Sequence, residues 1–542
     1  MSDPIAEREA SLRRLADTRW PLLIVGGGIV GTGALLDAAS RGIGAACIEQ
    51  EDLAVGTSSR SSRLIHGGLR YLERMEIRLV REALAERGRL LRLAPHLVAL
   101  EPFLFPLYGP PVLPRLFYGA GLTFYDLLGA AADGGRSRHL GRGATLADAP
   151  ALRPGGLRGA IRYHDGVEDD ARLVIAVART AIRQGATLAT RVRATGLLTG
   201  TDGKVAGIRA VDRETGRELE IRADAVLDAT GVWMGRTDAP LGGSRVPIVP
   251  SRGTHLIVPR ERIAAAGGVT LRIPGKVLFL IPWPGSWIIG TTDEPDSGPP
   301  DHPAPTHHEV RNLLETVNRF LDVDLGEKDV LGTYTGLRPL VGAPGAGGTV
   351  RVSREHRIGR EENGLTRISG GKYTTYRLMA EQAVDAALPG GAARSGTAGL
   401  RLVGALTPAE MGPLADRIAA ETGLDRARCA MLVARHGTEA PEVVALGRSL
   451  GLLRPLGGSL HLEAEVAWAV REELAGSIED ILSRRMRLSM LLADRGAAIA
   501  DRVDEIAGAE LGWDVAGRGE RVASYLAAAR REHDLPSPEA RG

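Results

Sequence analysis

The hydrophobic pattern opens with a short apolar run, Leu22–Val25, that stops at three glycines and gives way to an alanine-rich amphipathic segment. That order predicts strand, tight turn and helix, and the next apolar run, Ala45–Ile48, predicts a second strand. From Glu73 to Leu93, Ile77, Val80, Leu84 and Leu91 recur near one side with arginines on the other, as in an amphipathic helix. Asp169 and Asp170 offer N-caps to the helical text ARLVIAVARTAIRQG, which stops at Gly185. Alternating segments around TLATRVRATGLL, KVAGIRAVD and ELEIRA, joined by TDG and ETG turns, predict a meander, followed by a strand, Ala225–Ala229, running into Thr230 and Gly231. Short strands with turn signals between Pro247 and about Val330 predict a second, sheet-rich unit. Residues 331–387 are expected to return to the first unit through TGLRPL, the strand LTRISG and the helix TTYRLMAEQAVDAAL. A glycine-rich linker spans 389–399, and 400–530 is mostly helical by period. Residues 1–19 suggest a capping helix or a loose arm.

The first glycines lie in the spacing G-x-G-x-x-G. Gly26 permits the turn, Gly28 lets backbone N–H groups approach a pyrophosphate, and Gly31 lets the helix pack closely on the strand. Glu49 closes the second strand where an acid accepts hydrogen bonds from ribose hydroxyls and disfavours a 2′-phosphate. The polar loop GTSSRSSRLIHGGLRYL follows, rich in hydroxyls and arginine, and such a loop can line a flavin. Helix, meander and a strand ending in ATG then follow in the order in which glutathione-reductase-type folds complete an FAD domain. The fold class expected is α/β: a glutathione-reductase-type FAD-binding domain, a sheet-rich substrate domain and a C-terminal helical domain. The oxidoreductase region would span 20–390, with FAD-binding parts near 20–72, 160–240 and 331–387 and substrate or cap parts near 73–159 and 241–330. The helical domain would span 400–530.

The text TSSRSSRLIHGGLRYLE resembles the N-terminal part of the FAD-dependent glycerol-3-phosphate dehydrogenases. So do YHDGVEDDARLV (163–174), VLDATGVW (226–233), RGTHLIVP (252–259), IPW with IIGTTDE (281–294), TYTGLRPL (333–340) and SGGKYTTYR (369–377). The resemblance runs from about Leu22 to Leu378, and VREELAGSIEDILSRRMRL continues it toward the C-terminus. It implies oxidation of sn-glycerol 3-phosphate to dihydroxyacetone phosphate with electrons passed to a quinone. It also implies that His66 and Arg338 stand at the substrate and that Arg70 and Tyr71 bind its phosphate.

Composition narrows the class further. At 542 residues and a formal net charge of +2 the chain is long enough for two or three domains and too balanced to argue for nucleic-acid binding. Cys47 and Cys429 are the only cysteines, both read as core residues, so no disulfide framework is expected. No apolar run is long enough to span a membrane, and the polar start carries no signal-peptide core. The only lysines are Lys204, Lys276, Lys328 and Lys372, and Lys372 alone sits in a glycine-flanked text that opens a helix.

Oxidising a secondary alcohol requires a base, a hydride acceptor and charges that hold the substrate. His66 is the candidate base, since a neutral imidazole accepts a proton near neutral pH; read without the resemblance, a structural histidine of the loop is the better assignment. Arg70, Arg338 and Lys372 are the candidate phosphate ligands. Lys372 has a second candidate role beside the reduced flavin, because GGKYTT opens a helix. Candidate cofactor ligands are Gly26, Gly28, Gly31, Glu49, Thr57, Ser58, Ser59, Ser62, Thr230, Gly231, Gly371, Lys372 and Thr374. His164, His255, His307 and His308 read as ordinary surface or core histidines, and no metal is expected. The short interval between Arg338 and Lys372 resembles the dehydrogenases rather than the oxygen-using oxidases of the family. A quinone partner implies peripheral attachment to the inner face of the cytoplasmic membrane, and the candidate surface is Leu97–Tyr108, Leu113–Leu128 and the arginines of 74–92. A glycerol-3-phosphate oxidase using oxygen, another FAD-dependent amine or amino-acid oxidase, and a flavin-bound structural or regulatory protein without turnover are the alternatives. A homo-oligomer is possible on this reading.

Overall fold

The computed structural model describes residues 3–68, 76–109, 136–236, 239–243, 247–273, 276–342, 355–390 and 393–537. Arg70 and Tyr71, and the stretch Leu113–Leu128, lie outside them.

The strand Leu22–Val25 is the centre of a six-stranded sheet. Ala45–Ile48 and then Thr187–Ala189 lie on one side of it, and Val226–Asp228, Thr366–Gly370 and His356–Arg360 on the other. All pairings are parallel except the last. Every residue of the central strand is buried, as a parallel sheet covered on both faces requires. The helices Ile29–Ser40, Asp170–Arg183 and Tyr376–Ala387 cover one face. The meander Val192–Thr199, Val205–Asp212, Glu218–Arg222 and the N-terminal helix Pro4–Asp17 cover the other. Asp169 caps Asp170–Arg183 by accepting from the Arg172 amide.

The second unit is a ten-stranded sheet assembled from distant segments, Leu64–Ile65, Val98–Tyr108, Leu157–Glu168 and the strands between Ile248 and Val341 among them. Two placements differ from the sequence reading. Gly332–Val341 carries TGLRPL and was expected in the FAD-binding part; it instead hydrogen-bonds antiparallel to Ile248–Pro259 over ten residue pairs, from Ile248↔Val341 to Ile257↔Gly332. The stretch Leu97–Tyr108, offered as a membrane-facing surface, is a strand between Gly268–Ile273 and Leu157–Glu168. Its Phe103, Leu104, Phe105 and Leu107 are buried, so its aromatics serve the core and leave no apolar face for a bilayer.

The C-terminal helices from Pro408–Thr422 to Arg518–His533 enclose their own core around Leu432, Trp468, Ile481 and Val503. Buried ion pairs join this domain to the FAD-binding unit. Arg485 and Arg484 converge on Asp52, Arg191 on Asp480, Arg172 on Glu473 and Arg60 on Glu532.

Candidate functional site

Between the two sheets lies a cavity of about 790 Å³, toward the upper end of the range of ligand pockets, roughly 300–1,000 Å³. One end is the glycine turn. Gly26 has φ +116°, and a Cβ on Gly31 would stand 1.9 Å from the Gly26 carbonyl oxygen, so the helix starts in contact with the turn. Gly28 precedes that helix without a capping side chain of its own, and the Ile29 amide donates to Ser58 Oγ at 3.0 Å. The open helix start faces the cavity and is suited to a pyrophosphate. Glu49 accepts from the Gly27 amide at 2.6 Å and the Glu51 amide at 2.9 Å. Burial raises its carboxyl to about 7, against the pull of those two amides.

The middle is bounded by Thr230 and Gly231 on one side and by the turn before Tyr376–Ala387 on the other. Thr230 donates through its amide and hydroxyl to Asp228. Gly371, with φ +87°, bends the chain where a side chain would strike Met379, and Lys372 precedes the short turn Tyr373–Thr375. Thr374 Oγ1 accepts from the His66 amide at 3.2 Å and so ties the two loops together.

The far end is built on the second sheet. Arg338 Nη1 donates to the Thr292 carbonyl at 3.2 Å and Nη2 to Thr291 Oγ1 at 3.1 Å, with Asp293 at 3.9 Å. His66 meets Phe279 edge-on at 6.0 Å. His255 lines the same wall, stacked on Tyr334 at 4.5 Å and 8°, with Nε2 2.8 Å from Ser62 Oγ. Burial first, then Arg338 and Arg63, hold its imidazole well below the usual range, so it is neutral.

Most of the residues named from sequence share this cavity: Gly26, Gly28, Glu49, Thr57, Ser58, Ser62, His66, Thr230, Gly231, Arg338, Gly371, Lys372 and Thr374 all line it. Gly31 sits behind the wall in the packing role expected of it. Ser59 does not line the wall; it is buried, and its carbonyl accepts from Arg487 of the C-terminal domain at 3.0 Å. The largest revision is His255, read as ordinary and found in the wall. A signal for it stood in the sequence, because glycine inside a strand marks a close approach. A Cβ on Gly290 would lie 2.3 Å from the His255 ring, one on Gly253 2.5 Å from Arg338, and one on Gly336 2.3 Å from the Arg60 carbonyl.

A helix start suited to a pyrophosphate, an acid at the end of the second strand and a long cavity ending at imidazoles and a guanidinium fit a flavin-dependent oxidoreductase. A family model described as FAD dependent oxidoreductase matches residues 22–377, and one described as the C-terminal domain of alpha-glycerophosphate oxidase matches 395–518. The glycerol-3-phosphate dehydrogenase 2 of Mycobacterium tuberculosis is 41% identical over 534 residues, covering 97% of this chain and 91% of that protein. The mitochondrial glycerol-3-phosphate dehydrogenase of Homo sapiens is 36% identical over 95% of this chain and 74% of its own length. A solved Bacillus halodurans glycerol-3-phosphate dehydrogenase complexed with FAD superposes with a TM-score of 0.79 at 25% identity, covering 97% of both chains. The chain belongs to the FAD-dependent glycerol-3-phosphate dehydrogenase family, and FAD is its cofactor.

Proposed function

We propose that the protein oxidises sn-glycerol 3-phosphate at its secondary alcohol to dihydroxyacetone phosphate and delivers the electrons to a quinone. The observation that carries this reading is the composition of the cavity, where Arg338, His66 and His255 share the far end and Lys372 stands on the adjoining middle wall. Arg338, fixed by Thr291 and Thr292, offers a preset fork for phosphate oxygens, and Lys372 adds a point charge. His66 takes the hydroxyl proton as the C–H bond breaks, and His255 with Ser62 orients the alcohol. The bound flavin supplies the hydride-accepting, two-electron chemistry. Glu49, the glycine turn, Thr57, Ser58 and Thr230 hold that cofactor.

The relatives are dehydrogenases by name, which favours an acceptor other than oxygen. For the membrane, the remaining candidate surface is the arginine stripe of the helix Ile77–Leu93, where Arg78, Arg81 and Arg92 are exposed; it would favour anionic headgroups. Among the described residues no helix is long and apolar enough to cross a bilayer.

Anaerobic addition of glycerol 3-phosphate should bleach the yellow holoprotein, and neither glycerol nor an amine should. Bleaching by an amine and not by the phosphate would replace this reading with an amine oxidase. Turnover with a soluble quinone analogue under nitrogen, compared with peroxide release in air, decides the acceptor. Sedimentation with anionic liposomes at low salt decides the attachment.

A further inference from the structure

Behind the His255 wall lies a guanidinium that the reaction as described does not use. Arg63 is 0% exposed, and its Nε and Nη1 have no hydrogen-bond partner. Its Nη2 reaches only Met490 Sδ, at 2.9 Å. The guanidinium lies 4.0 Å from the Trp283 ring centre and 5.4 Å from that of Tyr334, the ring on which His255 stacks. Trp283, Arg63, Tyr334 and His255 thus form a continuous run of ring and cation contacts that ends at the cavity wall.

The nearest carboxylate, Asp170, stands 3.9 Å from Arg63 and is already engaged. It accepts from the Ser61 amide and hydroxyl and from Arg487 of the C-terminal domain. Glu168, another acid nearby, is buried with neither oxygen hydrogen-bonded, and burial pushes its carboxyl well up. Arg63 is therefore left as a buried charge with little compensation, an arrangement that costs stability.

We propose that Arg63 is a positioning residue for His255: through the Tyr334 ring it fixes the plane of the imidazole and holds a positive charge behind it. The C-terminal domain sustains this by occupying Asp170 through Arg487. The other groups around His255 are Arg338 on the cavity side with Asp293 beside it, Ser62 on Nε2 and Tyr334 on the ring face. Both neighbouring cations disfavour a second proton on the imidazole, whose Nε2 shares a hydrogen bond with Ser62. This inference rests on the proposed oxidation of an alcohol in this cavity.

The test uses FAD-replete protein and the pH dependence of flavin reduction by glycerol 3-phosphate, with the His255 titration read independently by NMR of histidine-labelled protein. In Arg63→Met the acidic limb and the His255 titration should both move up by about one pH unit, from one charge at an effective dielectric near 20. The reduction rate should fall about tenfold, and the melting temperature should hold or rise because a buried charge is gone. Arg63→Lys should restore the limb. Arg487→Met should shift it the same way, by freeing Asp170 to neutralise Arg63, and should add nothing in the Arg63→Met background.

Unchanged His255 titration in both Met variants would overturn the proposal, as would Lys behaving like Met. So would a rate loss that tracks lost flavin or lost stability. Wild-type protein that glycerol 3-phosphate fails to bleach would instead overturn the substrate reading, and the NMR titration would still judge the role of Arg63.

Discussion

Asp52→Asn tests what fastens the helical domain to the flavin-binding unit. Asp52 is 1% exposed. Its Oδ2 accepts from Arg484 Nε and Arg485 Nη1, each at 2.5 Å, and its Oδ1 from Arg485 Nη2 at 2.7 Å. Without the carboxylate, Arg484 keeps Asp480 at 2.6 Å and Glu479 at 2.9 Å, whereas Arg485 keeps only the Glu473 carbonyl at 2.6 Å. The loss therefore falls on Arg485, left buried without a carboxylate in contact, although Glu473 and Asp480 stay within its field. Removing one partner of a buried pair costs about 3–5 kcal/mol, so the interface should open at least about a hundredfold more often. The pairs of Arg60, Arg172 and Arg191 keep it closed most of the time. Native-state hydrogen exchange over residues 480–491 reads that opening. A double-mutant cycle with Arg485→Met should give a coupling of about 2 kcal/mol or more. An opening free energy within about 1 kcal/mol of wild type, or additive effects in the cycle, would refute the argument that this charge cluster holds the domains together.

Arg338→Lys should lower kcat/KM by about ten- to a hundredfold, the worth of a charged hydrogen bond, with FAD content unchanged, whereas Gly28→Val should lose the flavin; equal FAD loss in both would make Arg338 structural. Gly31→Ala should weaken FAD binding about tenfold or more without touching the ligand, because its Cβ would stand 1.9 Å from the Gly26 oxygen and push the helix start back; fluorescence of released flavin measures it, and wild-type affinity would contradict the packing role. Glu49, raised to about 7 from 4.5 by burial, holds its proton in the folded apoprotein where the unfolded chain has lost it. Its contribution to apoprotein stability is thus fully present at acid pH and declines as pH rises through 7. Melting temperature against pH should show that decline, and Glu49→Gln should flatten it.

The flavin end was legible in sequence because its demands are local. Strand, glycines, helix and acid follow one another within about thirty residues, a βαβ unit whose geometry is set by spacing. The substrate end was legible only in part, because it is assembled across strands. Arg338 and Lys372 were found as charges among glycines and through the family resemblance, but His255 reads like any histidine in a strand. Its place depends on pairing with Tyr334, seventy-nine residues away by number, and on the flat spot left by Gly290. The aromatic cluster at Leu97–Tyr108 misled for a related reason: composition shows that a segment is apolar, and only the two cores that take Leu104 on one side and Phe103, Phe105 and Leu107 on the other show that both faces are covered. Ser59 is buried outside the cavity wall, and its carbonyl is held by the C-terminal domain, a contact more than four hundred residues distant in sequence.

The register between Ile248–Pro259 and Gly332–Val341 sets a rule for how such an enzyme can change. His255 pairs with Tyr334 and Ser251 with Arg338, all on one face. A single inserted or deleted residue in either strand would turn every later side chain to the opposite face. The imidazole or the guanidinium, whichever strand is altered ahead of it, would then leave the cavity and lose its place opposite the other strand. Length variation is consequently barred from both strands. The segment they bracket, residues 260–331, is not a free cassette either, because its Thr291 and Thr292 hold Arg338 and its Gly290 leaves room for the His255 ring. New substrate preference in this scaffold is accessible by substitution around those fixed points, and by changes of length only in turns of the bracket that touch neither residue.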